Sequence, residues 1–156
     1  MKRLWAPWRM EYIMVATKSQ DCIFCKREQY ILKETAQAFV MLNLFPYNPG
    51  HLMVAPKRHI KDLEDLTDEE IKDIFNLIKD SISALKKEAN PDGFNIGVNI
   101  GRVAGAGFEG HIHFHIVPRW NGDTNFMPVI GEVRVIPEGI EKTYEKLKKY
   151  FKDGEK

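Results

Sequence analysis

The chain has 156 residues, 44% hydrophobic and 29% charged, the balance of an ordinary globular protein long enough to bury one core. A formal net charge of +1 gives no electrostatic reason to bind nucleic acid or an anionic membrane, so neither is an expected partner. No window approaches a membrane span, and Met1-Lys2-Arg3 is not followed by the uninterrupted apolar run of a signal peptide, so a cytoplasmic location is expected. In that compartment Cys22 and Cys25 read as metal ligands or a redox pair rather than a structural disulfide.

One domain over residues 1–156 is expected, with 1–20 as an N-terminal aromatic arm. Leu4 through Ile13 is rich in aromatics without a sustained period. It reads as an arm packed over a surface groove, and alternatively as part of a pocket or a subunit contact. Asp21-Cys22-Ile23-Phe24-Cys25-Lys26 has the turn of a zinc knuckle and supplies half a tetrahedral site. Thioredoxin-like redox use shares the spacing, but the βαβ pattern expected around it is absent. Two further ligands would have to be histidines from elsewhere in the chain.

Ala38–Leu42 reads as a buried strand, and Asn43–Gly50 as a turn with two prolines and a glycine. His51–Pro56 is then a second strand, antiparallel to the first, followed by the basic Lys57-Arg58-His59. Thr67 and Glu70 make a capping box for a long helix whose core face is read as Ile71, Ile74, Phe75, Ile78, Ile82 and Leu85. Asn90-Pro91-Asp92-Gly93 ends it, and Phe94, Ile96, Val98 and Ile100 alternate as a half-buried strand.

The loop Gly101–Gly110 carries four glycines, which lets backbone amides close around an anion. It feeds into His111, His113 and His115, three of the chain's five histidines, on one face of a strand, with Ile112, Phe114 and Ile116 on the other and Pro118 at its end. The histidine row faces a cleft or a metal, and catalysis and a zinc held by all three both fit the spacing. Arg102 and Lys57/Arg58 read as solvated charges. Val133 and Val135 suggest a short strand, and Ile140, Tyr144, Leu147 and Phe151 a C-terminal amphipathic helix. The pattern is α+β: a mostly antiparallel sheet with one long amphipathic helix and a C-terminal helix.

His111-Ile112-His113-Phe114-His115-Ile116-Val117 resembles the histidine-triad (HIT) signature, in which three histidines alternate with apolar residues. Asn43 through His59 is similar to the family's first block, Cys22/Cys25 to its zinc-bearing members, and Leu4–Ile13 with Pro118–Phe126 to the branch that includes bacterial diadenosine tetraphosphate phosphorylases. The resemblance implies a HIT-like fold and nucleotidyl transfer on dinucleoside polyphosphates, by phosphorolysis or hydrolysis, through a nucleotidyl-histidine intermediate. It assigns the nucleophile to His113, with His115 and His51 contacting phosphate oxygens or steering the leaving group. Asn43 falls at the nucleoside, Asn99 near the phosphates, and Gly105 and Gly107 in the loop that holds them. A closed structural zinc would take Cys22, Cys25, His59 and His111, which weighs against one ion held by all three strand histidines. No organic cofactor is implied. Orthophosphate is a possible acceptor, and a homodimer is expected.

One departure stands out. Many members carry Gln, Ser or Thr in the last turn before the first histidine, where this chain has Gly107-Phe108-Glu109-Gly110. Two other functions remain open: hydrolysis of nucleoside phosphoramidates by the same nucleophile, and a zinc-stabilised nucleotide-binding protein with little turnover.

Overall fold

The structure is a computed structural model describing residues 22–124 and 135–151. The aromatic arm, Asp21, Val133 and the stretch from Asn125 to Phe126 lie outside the described residues. The elements in chain order are a four-residue helix α1 (Ile23–Lys26), strands β1 (Ile31–Glu34), β2 (Ala38–Leu42) and β3 (Leu52–Pro56), helix α2 (Asp68–Ala89), strands β4 (Gly93–Val98) and β5 (Phe114–Arg119), and helix α3 (Ile140–Lys148). The strands form one sheet in the order β1-β2-β3-β5-β4, and each neighbouring pair is antiparallel.

The period of two sorts the sheet into faces. Ala38, Val40, Leu42, Leu52, Val54, Phe114 and Ile116, with Ile112 just ahead of β5, pack under α2 and α3 in the larger core. The residues between them, Phe39, Met41, Met53 and Ala55, face the other way and gather around Phe24 of α1. The histidines share this second face.

Helix α2 starts at the expected capping box: Glu70 N–H donates to Thr67 Oγ1, and Thr67 N–H to the Glu70 carboxylate. Asn90, in the left-handed conformation at φ 43°, ends it. The buried face differs from the expected one. Phe75 is 55% exposed and Ile71 is also exposed, whereas Leu77, absent from the expected face, is 1% exposed and lies with Ile74, Ile78, Ser81, Ala84 and Leu85. Ser81 and Ala84 are small enough to let the helix come close to the sheet, and Ser81 Oγ donates to the Leu77 carbonyl at 2.7 Å. Burying Leu77 there contributes on the order of 2 kcal/mol.

Four further points depart from the sequence reading. The ladder of the histidine strand begins at Phe114, because residues 111–113 run as extended chain tied by the Ile112 amide to the Ile60 carbonyl at 2.7 Å. Pro118 lies inside β5 opposite Phe94 rather than at its end. Its ring nitrogen faces the β3 side beyond the last β3–β5 pair, where no ladder bond is forfeited, and its carbonyl accepts from Asn48 Nδ2 at 3.0 Å. Val135 is exposed and outside any strand. Strand β1 was not foreseen; with four residues it is too short to show a period.

Arg58 is not a solvated charge. It donates to both oxygens of the buried Glu70 carboxylate, at 2.9 and 2.8 Å, and to the Asp65 carbonyl, clamping the β3–α2 connection. These guanidinium bonds hold the Glu70 carboxyl below its ordinary value of 4.5, although burial pushes the other way. A depressed folded-state pKa contributes stability above the ordinary value that is lost as pH falls through the folded one. The stability difference between wild type and Glu70→Gln, followed by urea denaturation, is therefore expected to shrink as pH drops below about 4.5. A difference that stays constant over that range would show that the pair carries no such linkage.

Candidate active site and metal centre

The histidines divide into two groups by where their ring nitrogens point. At the start of the histidine segment, His111 Nδ1 lies 3.3 Å from Cys22 Sγ and 3.7 Å from Cys25 Sγ, and His59 Nδ1 lies 3.2 Å from Cys25 Sγ. One donor atom from each of these residues falls within 4.8 Å of the others, and they are the metal-competent group among the described residues. A tetrahedral zinc with Zn–S near 2.3 Å and Zn–N near 2.0 Å sets its ligand atoms roughly 3.3–3.8 Å apart, so the donor set fits. The outer contact fits as well. His111 Nε2 donates to the Pro56 carbonyl at 2.8 Å, which leaves Nδ1 with the lone pair a metal needs. Burial pushes the Cys22 thiol up to about 11, so its proton leaves readily only in exchange for a cation. With His111 turned to this centre, the three strand histidines do not converge on one ion.

His113 and His115 stay on the open face. His113 Nδ1 lies 2.9 Å from the His111 carbonyl, which can only accept, so the proton is on Nδ1 and the Nε2 lone pair is directed away from the chain. His115 sits between Met53 of β3 and Gly97 of β4, and a side chain added at Gly97 would meet open space. Its tautomer is set from behind. The Tyr47 amide donates to His51 Nδ1 at 3.0 Å, so His51 carries its proton on Nε2 and gives it to His115 Nδ1 at 3.0 Å. His115 is left with its own proton on Nε2, free to donate.

His51 is thus a wholly buried residue one step behind His115. Asn43 supports it, with Nδ2 3.3 Å from His51 Nδ1 and Oδ1 accepting from the Phe45 amide at 2.9 Å. Burial brings the His115 imidazole down to about 4, with the neighbouring His113 adding to the effect. Burial likewise brings His111 to about 4 against the opposing Pro56 bond, and lowers His113 against its own carbonyl bond. All three are neutral imidazoles at pH 7.

The glycine loop is more committed than its composition suggests. The amides of Ala104, Gly105 and Ala106 donate back to the carbonyls of Gly101 and Arg102, and Gly101 and Gly105 adopt φ of 80° and 94°, which favours glycine. Gly105 therefore shapes the loop rather than offering its amide, and Asn99 Nδ2 braces it at 3.5 Å from the Gly105 carbonyl. The amides that remain for an anion are those nearer His111, from Gly107 to Gly110, and Glu109 is exposed. A separate cavity of about 320 Å³, lined among others by Pro49, Leu85, Trp120 and Leu147, has no histidine among its lining residues.

Sequence reasoning missed Phe24, the Pro56 carbonyl and the Tyr47 amide. The last two act through backbone atoms and leave no signal in residue type. Phe24 was visible only as one of the two apolar residues inside the cysteine knuckle.

Comparison with known proteins identifies the family. The HIT domain family matches residues 26–122, and the chain belongs to that family. It is 38% identical over 157 residues to the AP-4-A phosphorylase of Mycobacterium tuberculosis, covering 92% of this chain and 80% of that one. It is 32% identical over 137 residues to the adenosine 5'-monophosphoramidase of Schizosaccharomyces pombe, covering 85% and 99%. Among solved structures, a Zn-bound histidine triad family protein from Mycobacterium smegmatis superposes with a TM-score of 0.63 at 25% identity, covering 90% of this chain and 91% of that one.

The hydrogen-bond directions are directly measurable. Imidazole ¹⁵N spectra at pH 7 are expected to place the proton on Nδ1 for His113 and on Nε2 for His111, His51 and His115. An Nδ1-protonated His115 would break the chain from Tyr47 and overturn the assignment.

Proposed function

We propose that this chain transfers a nucleotidyl group from a dinucleoside polyphosphate, diadenosine tetraphosphate first among them, through a covalent intermediate on His113. What supports the reading is the pair of neutral imidazoles with opposite tautomers: His113 with a lone pair on Nε2, and His115 with a proton on Nε2. His113 Nε2 attacks the phosphorus bound to one adenosine, a P–N bond forms, and the P–O bond to the leaving ATP breaks. His115 donates its Nε2–H to an oxygen of the phosphate chain, and the free amides before His111 take up charge on the non-bridging oxygens. An oxygen of orthophosphate then attacks the same phosphorus, the P–N bond breaks, ADP leaves, and the lone pair returns to His113.

A neutral nucleophile avoids repulsion with the polyanion, and the acceptor is held rather than drawn from solution. The phosphorylase relative supports orthophosphate as that acceptor. The phosphoramidase relative supports the second reading, in which the same intermediate forms with an amine leaving. Cys22, Cys25, His59 and His111 would hold a structural zinc, supported by the donor geometry and by the Zn-bound family member. Bound there, the metal braces the start of the histidine segment two residues before His113.

The reading includes a homodimer. Strand β4 is an edge of the sheet, and Phe75 and Ile96 leave apolar surface exposed on its helix side. It also includes a cytoplasmic location; no helix among the described residues is long and apolar enough to cross a membrane.

Incubation of diadenosine tetraphosphate with orthophosphate is expected to yield ADP and ATP, and His113→Asn to abolish turnover while nucleotide still binds. AMP and ATP regardless of phosphate would make the protein a hydrolase. Activity of His113→Asn within about tenfold of wild type, about 1.4 kcal/mol in the barrier, would remove His113 from its role. Freshly purified protein is expected to carry about one zinc per chain, and Cys22→Ser to lose metal and thermal stability more than activity per folded molecule. Protein without zinc in metal analysis would exclude the centre.

A further inference from the structure

Phe24 occupies the middle of the cysteine knuckle, supplies no metal donor, and is 1% exposed, so no face of its ring remains for a substrate. The ring lies nearly parallel to the imidazole of His113, with centroids 4.6 Å apart and planes at 28°. Phe108 closes it from the side at 6.0 Å in an edge contact, and His111 lies at 5.3 Å. Phe39, Met41, Met53 and Ala55 complete the buried cluster around it. Phe24 cannot move without displacing this packing.

His113 needs a partner of this kind. The second side-chain torsion of histidine is broad and does not fix the ring plane by itself. The bond from Nδ1 to the His111 carbonyl fixes the tautomer and anchors one atom, but the ring can still rock about that anchor. Rocking swings Nε2, on the far side of the ring, off the line of attack on phosphorus. A flat surface against one face removes that freedom, and the His115 ring at 4.9 Å and 75° bounds another side.

We propose that Phe24 is a positioning residue: stacked on His113, it fixes the plane of the imidazole and so the direction of the Nε2 lone pair. This rests on the reading of His113 as the nucleophile. The residues between the two cysteines then do more than space the metal donors. They carry, one side chain away from the metal centre, the surface against which the nucleophile is aligned.

The test pairs Phe24→Leu, which keeps apolar bulk but removes the flat face, with Phe24→Tyr, which restores a ring. In Phe24→Leu the single-turnover rate of His113 nucleotidylation is expected to fall about tenfold or more with KM within about twofold, and Phe24→Tyr to recover most of that rate. A rate within about twofold of wild type in Phe24→Leu, a rise in KM with kcat unchanged, or a Tyr variant as slow as the Leu variant would overturn the proposal. A measurement without substrate runs beside it. The stacked ring is expected to shift the His113 Cδ2 and Cε1 protons upfield in the wild type. Their appearance at unshifted positions would overturn the stack even if neither variant folded. Mapping the covalent adduct separates the two claims: a nucleotide on a residue other than His113 removes the underlying reading, whereas an adduct on His113 that forms at the wild-type rate in Phe24→Leu removes only this one.

Discussion

Everything at the site depends on the alternation of side chains from His111 to Ile116. Ile112, Phe114 and Ile116 are buried under the helices, and that burial contributes roughly 2 kcal/mol for each. A slip of one residue would bring all three out and put three imidazoles into the core. His113 is thus held in place chiefly by residues on the opposite side of the sheet, which have no chemistry of their own. The antiparallel pairs of Phe114 with Val54 and Val98, and of His115 with Met53 and Gly97, lock the same register from both flanks.

Within that frame the imidazoles are made directional by fixed partners. Pro56 and His111 offer carbonyls, Tyr47 an amide, and each dictates which nitrogen of a ring carries the proton. Among the described residues no buried side-chain nitrogen or oxygen lacks a partner, so this polar face is satisfied rather than strained. Burial disfavours the charged form of the rings, and the fixed partners leave His113 with a lone pair on Nε2 and His115 with a proton there. Two histidines two positions apart therefore present opposite tautomers, set by what stands behind each ring.

The sequence carries the fold's outline where period or capping chemistry is strong: the capping box of Thr67 and Glu70, the buried β2 and β3, the two faces of the histidine segment, and the C-terminal helix all stand as read. The four metal donors also come together as the family resemblance implied. Other features were hidden for identifiable reasons. Leu77, not Phe75, is buried, on the face that also carries the small Ser81 and Ala84, which hydrophobicity alone undervalues. Arg58 looks like any exposed cation until Glu70 is found buried beside it. Four glycines promised a cradle of free amides, yet local turns spend those of residues 104–106 internally. Composition reports what a loop can do, and only the backbone path reports what it has left to do.

The place of β5 in the sheet has a consequence for how the molecule comes into being. It is inserted between β3 and β4, so among the described residues the strand between them is the last of the sheet to leave the ribosome, and its neighbours must wait for it. Such non-local pairing forms late, after the intervening loop entropy has been overcome. A nascent or partly opened chain can therefore display the cysteine knuckle, the helix and the first hairpin, but its histidine segment is not yet aligned. The contacts that set the tautomers of His113 and His115 and the last pairing of the sheet therefore arrive together.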